Sequence, residues 1–131
     1  MSRTKVLLSS LLLVVLACNT VYAYDIFFAV TRPYGPQPDV VCARAMPTGG
    51  EQVTGWELWI GHWSEDTGQP MKYYRIAWGS TALDTTIWEI NTTRFPYSVF
   101  LSQGAKYGYT FIVYGSGGYT ATCYSGMLVR P

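Results

Sequence analysis

Ala105–Gly126, AKYGYTFIVYGSGGYTATCYSG, is the stretch whose reading decides the fold. Tyr107, Tyr109, Phe111 and Val113 alternate with Gly108, Thr110, Ile112 and Tyr114. A period of two places the first set on one face of a strand. Three of those four are aromatic, which suits a buried sheet face. Gly115-Ser116-Gly117-Gly118 reads as a hairpin turn, and a second strand carrying Cys123 follows it.

Outward from this hairpin the same period recurs. Asp25–Thr31 is a strand with Ile26, Phe28 and Val30 on one face. Val40–Met46 is another, with Cys42 on the same side as Arg44. Gln52–Ile60 places Trp56, Leu58 and Ile60 inward and Trp59 partly outward. His62–Pro70 reads as a polar loop, and Lys72–Trp78 as a strand with Tyr74, Ile76 and Trp78 sharing the inner face. Leu83–Ile90 is rich in β-branched residues, which favours a strand over a helix. Tyr97–Leu101 and Ser125–Pro131 add further extended pieces, while the prolines of Arg32–Pro38 impose a loop. Seven to eight short strands with regular turn signals predict an all-β domain, a small antiparallel β-sandwich or small barrel. Gly104–Val113, GAKYGYTFIV, resembles the late strand and tyrosine corner of fibronectin type III domains. That resemblance implies a sandwich architecture and nothing about activity.

The first 23 residues carry another signal. Arg3 and Lys5 precede the apolar run Val6–Ala17, and Val21-Tyr22-Ala23 suits a signal peptidase. Residues 1–23 are therefore expected to be a secretory signal peptide, and residues 24–131 a single secreted, extracellular domain. Val15-Leu16-Ala17-Cys18 also resembles a bacterial lipobox, which makes a lipoprotein acylated at Cys18 the minor alternative. No later segment is apolar and long enough to span a membrane. In an oxidising compartment Cys42 and Cys123 are expected to form one disulfide. It would close most of the domain into a single loop and contribute about 4–5 kcal/mol.

The whole chain has nine basic and eight acidic residues. Losing Arg3 and Lys5 leaves seven against eight, a net of −1. Such a balance gives no footprint for nucleic acid. With 13% charged and 16% aromatic residues, the composition is opposite to that of a disordered chain.

Chemistry-bearing motifs are sparse. His62 is the only histidine, and with Glu65 and Asp66 it forms at most a weak cation loop, so no metal or cofactor is expected. There is no nucleophile elbow, and Gly115–Gly118 lacks the lysine and helix of a phosphate loop. Asn91-Thr92-Thr93 is a glycosylation sequon, with Asn91 the candidate acceptor. The anomaly is aromatic: Trp56, Trp59, Trp63, Trp78 and Trp88 crowd one stretch with Tyr73 and Tyr74. A domain this small cannot bury them all, and exposed rings stack on sugars or anchor partners. Trp59, Trp63 and Tyr73 are the binding-surface candidates. The leading expectation is a non-enzymatic extracellular interaction or matrix protein, or a small secreted effector, acting on an extracellular protein or glycan. A lectin-like carbohydrate-binding module is the alternative, and a small secreted hydrolase ranks third.

Overall fold

The computed structural model describes residues 24–32 and 38–131. The expected signal peptide (residues 1–23), with the alternative acylation site Cys18, and residues 33–37 of the proline loop lie outside the described residues. The elements are β1 (Tyr24–Thr31), β2 (Asp39–Pro47), β3 (Val53–Ser64), β4 (Gln69–Pro70), β5 (Tyr74–Gly79), β6 (Leu83–Ile90), α1 (Tyr97–Phe100), β7 (Lys106–Gly115), β8 (Thr120–Tyr124) and β9 (Leu128–Val129). They form two antiparallel sheets. The smaller runs β1-β2-β6, and the larger is built on the central β3–β7 pair. Both β4 and β5 pair with one edge of β3, and both β8 and β9 with the far edge of β7.

Alternation builds the core. Ile26, Phe28, Val41, Ala43 and Ala45 of the smaller sheet point inward. Trp56, Leu58, Ile60, Tyr107, Tyr109, Phe111 and Val113 of the larger sheet meet them. Phe28 and Phe111 stack across the layers with ring centroids 5.6 Å apart, and Trp56 packs on Phe111 and on Trp88 of β6. Each such side chain contributes roughly 1.5–3 kcal/mol by leaving water. The residues expected to form the inner face of the 107–113 strand are all fully buried.

Asp39 is a charged residue inside this core, only 1% exposed. Its Oδ2 accepts hydrogen bonds from the Tyr107 and Tyr109 hydroxyls, the latter at 2.7 Å, and Arg32 Nε donates to Oδ1 at 2.9 Å. The cluster ties the start of β2 to the first half of β7, one sheet to the other. Burial and the Asp39 charge hold both phenols well above the usual tyrosine range.

Three expectations are corrected. The Cys42–Cys123 bridge is absent: Cys42 is a free, half-buried thiol, while Cys123 is buried in the core. The cause is parity. Cys42 alternates with inward Val41 and Ala43, so it sits on the outer face of the smaller sheet with Arg44, paired between Ala29 and Ile87. Cys123 sits on the inner face of the other sheet, opposite Phe111. Trp78 does not face inward; it is 58% exposed. A bulge at Ile76 puts Ala77 opposite Leu58 and Trp78 opposite Glu57, reversing the facing of every residue beyond it. Tyr97–Phe100 is one helical turn rather than a strand. So short an apolar run does not distinguish the two by its period.

Candidate functional site

The outer face of the larger sheet follows directly from the register. Trp59 of β3 pairs with Thr110 of β7, and Thr110 pairs with Tyr124 of β8. Glu57 pairs with Ile112, and Ile112 with Thr122. Two rows of side chains therefore cross the sheet side by side. In an exposed antiparallel face these positions stand in water, yet Thr110 is 2% and Ile112 4% exposed.

What covers them is the return of the chain after β3. Met71 N–H donates to His62 O at 2.8 Å and Tyr73 N–H to Ile60 O at 3.2 Å, so this segment remains fastened to the β3 edge. Between these bonds the chain leans over the outer face. It can do so because Gly61 and Gly108 are paired there and carry no side chains. A Cβ on Gly61 would stand 1.8 Å from Met71 O, and one on Gly108 would stand 3.0 Å from Pro70 Cβ.

The result is a cavity of about 260 Å³, open on one side, lined by Gln69, Pro70, Lys72, Thr110, Ile112, Thr122 and Tyr124. Pro70 and Ile112 contribute apolar lining and Tyr124 an aromatic ring. Thr110 Oγ1 is buried in that lining without a hydrogen-bond partner. Leaving a buried hydroxyl unpaired costs roughly 1–3 kcal/mol, so native structures seldom tolerate it. Beside it Trp59 Nε1 is also buried and outside hydrogen-bonding geometry. Lys72 Nζ lies 5.4 Å from the Trp59 ring centroid, a cation–π contact, and among the described residues no carboxylate lies within ion-pair distance of it.

The neighbouring polar groups are already engaged. Glu57 Oε1 accepts from Tyr114 at 2.6 Å and Oε2 from Arg75 at 2.9 Å. Arg75 in turn lies 4.1 Å from the Trp78 ring centroid. Burial alone would raise the Glu57 carboxyl, but the bonds from Tyr114 and Arg75 outweigh it and hold the group below the usual range.

Of the three aromatic candidates, Trp59 belongs to this face. Trp63 does not project from a loop: β3 continues through Ser64, and Trp63 is half-buried opposite Pro70. Tyr73 is 60% exposed, but its ring packs on Phe100 at 4.6 Å and beside His62, at the other end of the segment. His62 itself is held by the Phe100 carbonyl at 2.7 Å. Asn91 ends β6, where its Oδ1 accepts from the backbone N–H and hydroxyl of Thr93. No group of three or more metal-ligating side chains occurs among the described residues. Sequence reasoning missed Thr110, Lys72 and Tyr124. The alternation already placed Thr110 and Ile112 opposite the core face, but the covering strand at residues 69–70 had no periodic signal. The chain matches no family model, no curated protein and no solved structure.

Proposed function

We propose that the protein is a non-catalytic binding domain, an extracellular interaction or matrix protein or a small secreted effector, that engages its partner through the outer face of the larger sheet. The observation that carries this reading is the buried, unpartnered Thr110 hydroxyl in the wall of an open cavity. A ligand oxygen or nitrogen placed there satisfies a group that the fold leaves unpaired. The described lining residues supply hydroxyls, an amide, an ammonium and an aromatic ring, and among them there is no carboxylate, histidine or thiol. That is a set for recognition, with no base or nucleophile pair for bond cleavage.

Amide-resolved NMR tests the face. Short oligosaccharides and short peptides are titrated in turn, and the amides of residues 69–72, 110–112 and 122–124 are expected to shift together. Thr122→Trp, which fills the cavity from an exposed position, is expected to abolish those shifts while leaving the fold intact. Shifts confined to another surface, or unaffected by this variant, would overturn the assignment.

A further inference from the structure

We infer that the cavity of residues 69–72 and 110–124 takes a saccharide unit bearing a carboxylate, such as a hexuronic acid. The inference rests on the binding-face reading above and adds the chemical class of the ligand.

The argument is one of matching groups. A pyranose ring has a face of C–H bonds and an equator of hydroxyls. The Tyr124 ring, with Pro70 and Ile112, presents the stacking and apolar surface that such a face needs. Thr110, Thr122 and Gln69 supply short polar groups around it. Thr110 Oγ1 both donates and accepts, as a sugar hydroxyl does, and has no protein partner to give up. A cavity of about 260 Å³ holds one such ring, and because it is open to solvent further units of a chain can extend from it.

Charge selects the acidic sugar. Lys72 is the ammonium of the lining, and its contact is the Trp59 face rather than a carboxylate. Its cationic neighbour Arg75 is neutralised by Glu57, and Lys106 by Glu65 at 3.0 Å. An anion entering here meets a cation that has no carboxylate partner among the described residues and that the Trp59 ring already holds beside the cavity. A bond from Lys72 to a carboxylate is charge-assisted and stronger than any other contact the lining offers.

The test uses the full chain with galacturonic acid and glucuronic acid trimers and the methyl ester of each. Esterification removes the charge and leaves the ring. At least one acid trimer is expected to shift the amides of Thr110, Ile112, Thr122 and Tyr124, and its ester to bind roughly tenfold or more weakly. Lys72→Gln is expected to erase the difference between acid and ester. Thr110→Val is expected to weaken both alike. Equal binding of acid and ester by the wild-type chain would overturn the acidic-sugar inference while leaving the binding face standing. So would silence of both trimers at a face that responds to neutral sugars or peptides. If no probe of any class shifts this face, the binding-face reading falls and the inference with it.

Discussion

Gly61 and Gly108 pair directly across β3 and β7, and neither has room for a side chain: Met71 lies against Gly61, and Ser125 Oγ and Pro70 against Gly108. The two glycines are what allow the chain to fold over the sheet and wall the cavity. Gly61→Ala must displace the Met71 backbone and is expected to destabilise by at least about 1–3 kcal/mol, as overpacking does. Gly108→Ala meets Ser125 Oγ and the edge of Pro70, both side chains, and is expected to cost less. Gly126→Ala, with nothing within 4 Å of its added Cβ, is the matched control and is expected to be near neutral. Urea melts of the three variants rank them, and equal midpoints would refute this account of the wall.

Thr110→Val separates binding from stability in opposite directions. The hydroxyl is buried without a partner, and valine has nearly the same shape and a higher strand preference. The variant is expected to be more stable than the native chain by about 1 kcal/mol, visible as a higher urea midpoint with an unchanged slope. A loss of stability of similar size would mean that the hydroxyl has a partner in solution, such as an ordered water.

Much of the fold is legible in the residues themselves. The alternation through Tyr107–Val113 marks the core face, and that of β1 and β2 marks the smaller sheet, because one-sided burial and period two are the same fact. What the pattern does not carry is any event that breaks parity or acts between distant segments. The bulge at Ile76 reverses Trp78, and no residue type announces it. The Cys42 side chain alternates with Val41 and Ala43, so its outward facing was readable. Charge-bearing Arg44 on the same side was the available clue against a bridge to Cys123. The cavity depends on Pro70 and Met71 lying against a glycine pair drawn from different strands. Such a meeting has no local signature. Thr110 was visible as an outward position, but only the covering segment makes its hydroxyl an unpaired one.

The reversal at Ile76 has a direct consequence for the tryptophans. Trp56 is 9% exposed between Phe111 and Trp88, whereas Trp78 lies on the outside with Arg75 across its ring. Trp56→Ala is expected to cost about 3–5 kcal/mol, as core aromatic truncations do. Trp78→Ala is expected to stay within about 1 kcal/mol of the native chain, losing mainly an exposed cation–π contact. Fluorescence should agree: acrylamide quenching is expected to fall when Trp78 is removed and to rise when Trp56 is replaced and the core loosens. Similar losses of stability in the two variants would place Trp78 in the core after all.

Alkaline titration tests the buried cluster at Asp39. The Tyr109 phenol is held high first by burial and then by the Asp39 carboxylate, and Tyr107 shares both causes. Tyr24, bonded to Glu51 at 2.6 Å, is pushed up to about 12 chiefly by that bond. In the unfolded chain these phenols ionise near the ordinary value of about 10. A group whose folded value is the higher one stabilises the native state fully below the unfolded value and ceases to do so as pH rises through the folded value. Stability is therefore expected to fall from about pH 10 upward, as the unfolded state releases protons that the native state keeps. Phenolate absorbance should rise in two phases, the exposed tyrosines first and the buried ones only as the strands separate. Tyr109→Phe should remove one tyrosine from the late phase alone. Asp39→Asn leaves Arg32 without its carboxylate and is expected to be destabilising by about 3–5 kcal/mol, as breaking a buried pair is. A single ionisation step near pH 10 in a protein that stays folded would show that the Asp39 cluster is open to solvent and does not join the two sheets as described.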